Sequence, residues 1–81
     1  MSESKEVGKK LQNARKRASL TQEQTADLLN IKQQAYARYE SGVIELDYHK
    51  IILLCKIFDT TPDYLFGFED EDGIKIIPED S

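Results

Sequence analysis

Apolar residues in the first part of the chain recur three or four positions apart, which is the spacing of one helical face. The residues that share this face are Val7, Leu11, Ala14 and Ala18. The spacing therefore predicts an amphipathic helix over residues 5–18. Ser19 and Leu20 interrupt the pattern, so we expect the first helix to end there.

Two short helices joined by a tight turn are predicted next. Thr21 can cap the first of them, because Gln24 three residues later completes a capping box. This helix is expected to end at Asn30, a residue that tolerates left-handed backbone geometry. Gly42 is expected to close the second helix, over residues 32–41. Such a pair is the pattern of a helix-turn-helix, with five side chains predicted to face inward: Ala26, Leu29, Ile31, Tyr36 and Tyr39.

The rest of the chain predicts two more helices and an acidic tail. Asp47 can cap a fourth helix over residues 48–58. Pro62 suits the first turn of a short fifth helix that ends at Gly67. We therefore expect an all-α, five-helix domain over residues 1–67 and an acidic tail over residues 68–81, within which Ile74–Ile77 is a candidate short strand.

The fourth helix has more apolar residues than one buried face needs. Its predicted core stripe is Tyr48, Ile51, Leu54, Cys55 and Phe58. The apolar residues expected outside that stripe or just beyond the helix are Ile52, Leu53, Ile57, Phe66 and Phe68. An exposed apolar group is typical of a contact surface, so these residues predict a homodimer interface. The alternative is that the tail folds back and covers them.

Composition narrows the possible functions. The formal net charge of −4 divides into +3 over residues 1–42 (eight bases, five acids) and −7 over residues 43–81 (three bases, ten acids). One cysteine and one histidine leave no nitrogen and sulfur cluster for a metal. No nucleophile–base pair or glycine-rich phosphate loop is present, so neither an enzyme nor a cofactor is predicted. Without a signal segment or a membrane-length apolar run, the expected location is the cytoplasm.

The third helix carries the candidate chemistry. On a helical wheel its apolar and aromatic residues share one side, and the other side presents Gln33, Gln34, Ala37 and Arg38. Glutamine pairs with adenine and arginine with guanine in the major groove, while alanine allows close approach and contact with a thymine methyl group. This edge predicts base contacts with double-stranded DNA, and the alternative is a polar face that only meets solvent.

From Leu11 to Gly67 the chain resembles the Cro/lambda-repressor-type helix-turn-helix family, also called the XRE family. The resemblance lies in the stretches LQNARKRASLTQEQTADLLNI, KQQAYARYESG and YHKIILLCKIFDTTPDYLFG. It implies a lambda-repressor-like fold and a sequence-specific transcriptional regulator, usually a repressor that binds a palindromic operator as a dimer. The alternative function is a protein-interaction module, such as an antitoxin-like partner that uses the fourth helix and the tail.

The resemblance also implies roles for individual residues. Gln33, Gln34 and Arg38 match base-contacting positions. Gln22 and Lys32 match contacts to phosphate, and Lys16 and Ser41 are further candidates, although Ser41 is equally suited to capping its helix. Arg15 and Glu40 match an internal salt bridge. Tyr36 stands where the family prefers valine or isoleucine.

Overall fold

The computed structural model describes residues 3–69, and every regular element within them is helical. The five helices are α1 (Glu3–Arg17), α2 (Gln22–Leu29), α3 (Gln33–Ser41), α4 (Tyr48–Phe58) and α5 (Pro62–Leu65). The predicted all-α class is confirmed. The predicted strand at Ile74–Ile77 and most of the acidic tail lie outside the described residues.

Local capping fixes the ends of α2. The Thr21 hydroxyl accepts the Gln24 N–H at 3.0 Å, and the Gln24 side-chain oxygen accepts the Thr21 N–H at 2.9 Å, so the predicted capping box is present. Asn30 takes left-handed geometry (φ 60°) and donates its N–H to the end of α2. Gly42 takes the same geometry (φ 80°) after α3. These caps explain why the predicted helix boundaries are nearly those observed.

The hydrophobic core lies where all five helices meet. Its fully or nearly buried apolar members are Leu11, Ala14, Ala26, Leu29, Tyr36, Leu54, Phe58, Tyr64 and Leu65. The predicted inward positions of α2 and α3 are therefore confirmed, with Ile31 and Tyr39 half-buried against the core. Among residues 3–69, the structure contains no helix with both the length and the hydropathy of a membrane span.

The predicted core stripe of α4 needs correction at its amino end. Tyr48 is 86% exposed, so its assignment to the core is wrong. The buried side of α4 is centred on Leu54, and Tyr48 lies about 120° away around the helix. The expectation that Leu53 and Ile57 lie outside the core stripe is also wrong, because both are half-buried against the core. Ile52 does lie outside it and is 52% exposed.

The helix α1 lies directly against the end of α3. Gly8 is buried there, and a Cβ atom added to it would stand 2.7 Å from the Tyr39 carbonyl oxygen and nearer still to that of Glu40. A larger residue at position 8 would push the two helices apart. Gly8 therefore sets the distance between α1 and α3.

Candidate nucleic-acid interface

The outer edge of α3 is open to solvent. Gln33, Gln34 and Arg38 are exposed, and Ala37 between them is half-buried. On the opposite side of the same helix, Tyr36 is completely buried. The structure thus brings the four predicted base-contacting residues together on one edge, as an amphipathic helix with a packed inner side requires.

The amino end of α3 has the electrostatics of an anion site. Lys32 is the N-cap residue, and its side chain makes no capping hydrogen bond. The first turn of α3 contains no acidic residue. The positive end of the helix dipole and the exposed ammonium group of Lys32 therefore favour the same ligand, a phosphate.

Behind that edge, a buried ion pair fixes α3 to α1. The Arg15 Nε lies 2.6 Å from one carboxylate oxygen of Glu40, and its Nη2 donates to the other oxygen at 3.2 Å. The two side chains are 10% and 4% exposed. Arg15 also donates to the Leu20 carbonyl oxygen at 2.9 Å, which ties the segment between α1 and α2 to the same cluster. The fork geometry uses both carboxylate oxygens and so fixes orientation as well as distance.

A third side chain joins this pair. The Gln22 amide nitrogen donates to Oε1 of Glu40 at 3.0 Å, which links the first residue of α2 to the end of α3. This bond uses one of the two hydrogens on the amide nitrogen. Sequence reasoning missed the contact because the residues are 18 positions apart, and no local spacing rule relates them. The glutamine predicted to meet a phosphate is therefore held in place by the carboxylate of the ion pair.

Burial and pairing shift the pKa values of this cluster in predictable directions. Burial alone would raise the pKa of Glu40, but the hydrogen bonds from Arg15, the nearby Tyr36 hydroxyl group and the hydrogen bond from Gln22 outweigh it and hold that pKa below the ordinary value. The hydrogen bond to Glu40 raises the pKa of Arg15. The Tyr36 hydroxyl is buried without a partner at hydrogen-bond geometry, and burial, followed by the nearby Glu40, raises its pKa.

The two further candidates for phosphate contact, Lys16 and Ser41, differ in their surroundings. Lys16 is exposed in the last turn of α1. The Ser41 hydroxyl donates to the Arg38 carbonyl oxygen at 3.2 Å, which favours the capping alternative for this residue. Lys10 and Arg17 lie over the Tyr64 ring, with their charged groups 4.9 and 5.0 Å from its centroid.

In the part of the chain that the structure describes, there is no group of three or more histidine, cysteine, aspartate or glutamate side chains that could hold a metal ion.

The chain is similar to known helix-turn-helix proteins over most of its length. The family model described as "Helix-turn-helix" matches residues 11–65. The chain is 39% identical over 64 residues to the uncharacterized HTH-type transcriptional regulator YqaE of Bacillus subtilis (strain 168), covering 79% of this chain and 55% of that protein. It is 40% identical over 60 residues to the HTH-type transcriptional regulator AnsR of the same organism, covering 74% and 52%. The chain thus spans about half the length of these curated relatives.

A solved structure is also similar. The crystal structure of the clp gene regulator ClgR from C. glutamicum superposes with a TM-score of 0.75, covering 82% of this chain and 85% of that one. The two sequences are 14% identical, so this likeness concerns the fold alone.

Proposed function

Because the chain belongs to the XRE-type helix-turn-helix family, we propose that it is a sequence-specific DNA-binding transcriptional regulator. The observation that carries the proposal is the outer edge of α3, where Gln33, Gln34 and Arg38 are exposed on a helix whose inner side is packed. An α-helix fits the major groove, and these side chains match the hydrogen-bonding edges of adenine and guanine. The relatives named as transcriptional regulators support this proposal over an enzyme.

In this proposal, phosphate contacts set the position of the domain and base contacts set its specificity. Gln22, Lys32 and Lys16 meet the DNA backbone, and Gln33, Gln34 and Arg38 reach the base edges. Ala37 is small enough to let the helix lie deep in the groove. Because Gln22 donates a hydrogen bond to Glu40, the same contact sets the orientation of α3 and the position of the α2 side chain that meets the DNA backbone. The backbone contacts make affinity fall as salt concentration rises.

We further propose that the regulator is a dimer that represses transcription in the cytoplasm. Tyr48 and Ile52 are one helical turn apart on α4 and are 86% and 52% exposed, so they supply an apolar contact strip. Two copies joined by symmetry would present their α3 helices about 34 Å apart, one turn of DNA, and would favour a palindromic operator. A dimer bound over a promoter would block transcription.

Selection of bound duplexes from a random library, at two salt concentrations, tests the proposal. The wild type should enrich a two-fold symmetric site. Arg38→Ala should lose about 1–3 kcal/mol of binding free energy on that site and relax the preference at one base pair of each half-site. Arg38→Lys is the matched control, because it keeps the charge but loses the two-pronged guanine contact. The same consensus from wild type and both variants would show that Arg38 has no reading role.

A further inference from the structure

An apolar groove lies away from the proposed DNA-reading edge. Its volume is about 610 Å³, and it runs between the start of α1, Tyr39 of α3, the loop before α4, the first turn of α4, and the residues that follow α5. Apolar side chains from all of these segments line it, including Val7, Ile44, Ile51, Phe66 and Phe68. Ile44, Phe66 and Phe68 are 40%, 47% and 48% exposed, so the groove leaves a substantial apolar surface uncovered.

The chain leaves the described region at this groove. The Phe68 N–H donates to the Asp63 carbonyl oxygen at 2.8 Å, and the Thr61 hydroxyl donates to a carboxylate oxygen of Glu69 at 2.7 Å. These two bonds fix the exit against α5, with the Phe68 side chain in the groove wall. Residues 70–81 therefore start beside the groove. Five extended residues span about 17 Å, so Ile74 is within reach of a groove that Phe68 itself lines.

The negative charge of the groove lining indicates which part of residues 70–81 is complementary to it. Three carboxylates, those of Glu3, Glu6 and Glu45, belong to its lining, and the described lining residues include no lysine or arginine. Most charged residues of the 70–81 segment are acidic and would be repelled. Its one basic residue, Lys75, stands between Ile74 and Ile76.

We propose that residues 74–77 of the same chain occupy this groove. Ile74 and Ile76 cover the apolar floor, and Lys75 reaches the carboxylates of the lining. Alternate side chains of an extended segment point to opposite sides, so Lys75 starts on the side away from the floor. Its long, flexible side chain bends back to the exposed carboxylates of Glu3, Glu6 and Glu45 in the lining. The segment removes Phe66 and Phe68 from the surface and leaves the strip of Tyr48 and Ile52 on α4 for contact between copies. This inference stands without the DNA-binding proposal, because it concerns a different surface.

Isotope-filtered NMR on the full chain tests the occupant directly. A uniformly labelled sample should show nuclear Overhauser effects between the methyl groups of Ile74 or Ile76 and those of Val7 or Ile51. An equimolar mixture of labelled and unlabelled chains should show no such effects between labelled and unlabelled molecules. Effects that appear only between molecules would assign the groove to a second copy and overturn the proposal. Their absence from both samples would show that this segment does not occupy the groove, which would then be open to another protein.

Two full-length variants check the chemistry of the contact. Lys75→Glu places a fourth carboxylate among those of the lining and should abolish the cross-peaks. Asp80→Ser removes a tail charge outside residues 74–77 and is the matched control, which should retain them. Binding of a fluorescent apolar dye should increase several-fold for Lys75→Glu and stay at the wild-type level for Asp80→Ser. Unchanged cross-peaks in Lys75→Glu would contradict the role given to the lysine.

Discussion

The inner and outer sides of α3 are held by different interactions. On the inner side, Tyr36 is completely buried and the Glu40 side chain is 4% exposed, bound by Arg15 and by Gln22 from two other helices. On the outer side, Gln33 and its neighbours face solvent. The inner contacts determine where the outer side chains point, and among the inner residues only Gln22 is also proposed to meet the DNA backbone.

This difference separates stability from recognition. A change on the inner side should lower the free energy of unfolding and weaken binding to every DNA sequence. A change on the outer side should leave the free energy of unfolding almost unchanged, while it lowers affinity for the preferred site and relaxes the preference among sequences.

The largest expected effect comes from Arg15→Met, which keeps much of the apolar stem and removes the charge. Glu40 would then be buried without its ionic partner, and breaking a buried pair in this way costs about 3–5 kcal/mol. A domain of this size has about 3–5 kcal/mol of net stability, so the variant should be close to unfolded at 25 °C. Urea unfolding followed by circular dichroism measures the loss. Arg38→Met makes the same change on the outer side and should stay within about 0.5 kcal/mol of wild type. Equal losses of unfolding free energy in Arg15→Met and Arg38→Met would show that the inner side of α3 contributes no more to stability than the outer side.

A smaller effect is expected where α1 meets α3. Gly8→Ala places a methyl group against backbone carbonyl oxygens and should cost about 1–3 kcal/mol, even though alanine is the better helix former. Gly67→Ala is the comparison, because Gly67 has φ 84° and open space around it, so only backbone strain of about 1 kcal/mol applies.

The two glycine variants should also differ in DNA binding. Gly8→Ala moves α3 relative to α1 and should weaken binding even at temperatures where the protein is folded. Gly67→Ala leaves that contact untouched and should bind as wild type does. Full stability and affinity in Gly8→Ala would mean that α1 and α3 do not need this close approach.

The elements that the sequence predicts well are those with local signals. Thr21, Asn30 and Gly42 each act on a neighbouring turn, so the bounds of α2 and α3 follow from residues at most a few positions apart. The outer edge of α3 follows from helical periodicity for the same reason. The resemblance to a known family adds the pairing of Arg15 with Glu40, which local rules alone would not supply.

The features that the sequence did not predict depend on distant contacts. Periodicity shows that α4 has a broad apolar surface, but the position of the buried centre at Leu54 depends on which helices pack against it, and Tyr48 was therefore misplaced. The bond from Gln22 to Glu40 and the tight fit at Gly8 join separate helices and have no local signature. These contacts appear only when the chain is folded.

The ionisation of Glu40 gives a pH-dependent prediction. Its folded-state pKa lies below the ordinary value of 4.5, so the charged form stabilises the fold above about pH 4.5, and this stabilisation is lost as pH falls through the folded-state pKa. Wild type should be more stable than Glu40→Gln at pH 7, and the gap should narrow below pH 4.5. Asp47, whose pKa is lowered by the backbone N–H of Lys50, is present in both proteins, so its contribution to the pH dependence cancels in the comparison. A gap that stays constant from pH 7 to pH 3 would show that the charge on Glu40 does not matter.

The smallest expected effect distinguishes the ring of Tyr36 from its hydroxyl group. The ring is fully buried beneath the outer edge of α3, whereas the hydroxyl oxygen has no partner at hydrogen-bond geometry. Tyr36→Phe removes only the unpaired polar atom, so it should leave the free energy of unfolding unchanged or raise it by less than about 1 kcal/mol. Tyr36→Val removes the ring as well and should cost about 3 kcal/mol through the cavity it leaves. Thermal unfolding compares the two variants, and DNA binding by Tyr36→Phe should match wild type. A clear loss of stability in Tyr36→Phe would mean that the hydroxyl group binds Glu40 and belongs to the anchoring cluster on the inner side of α3.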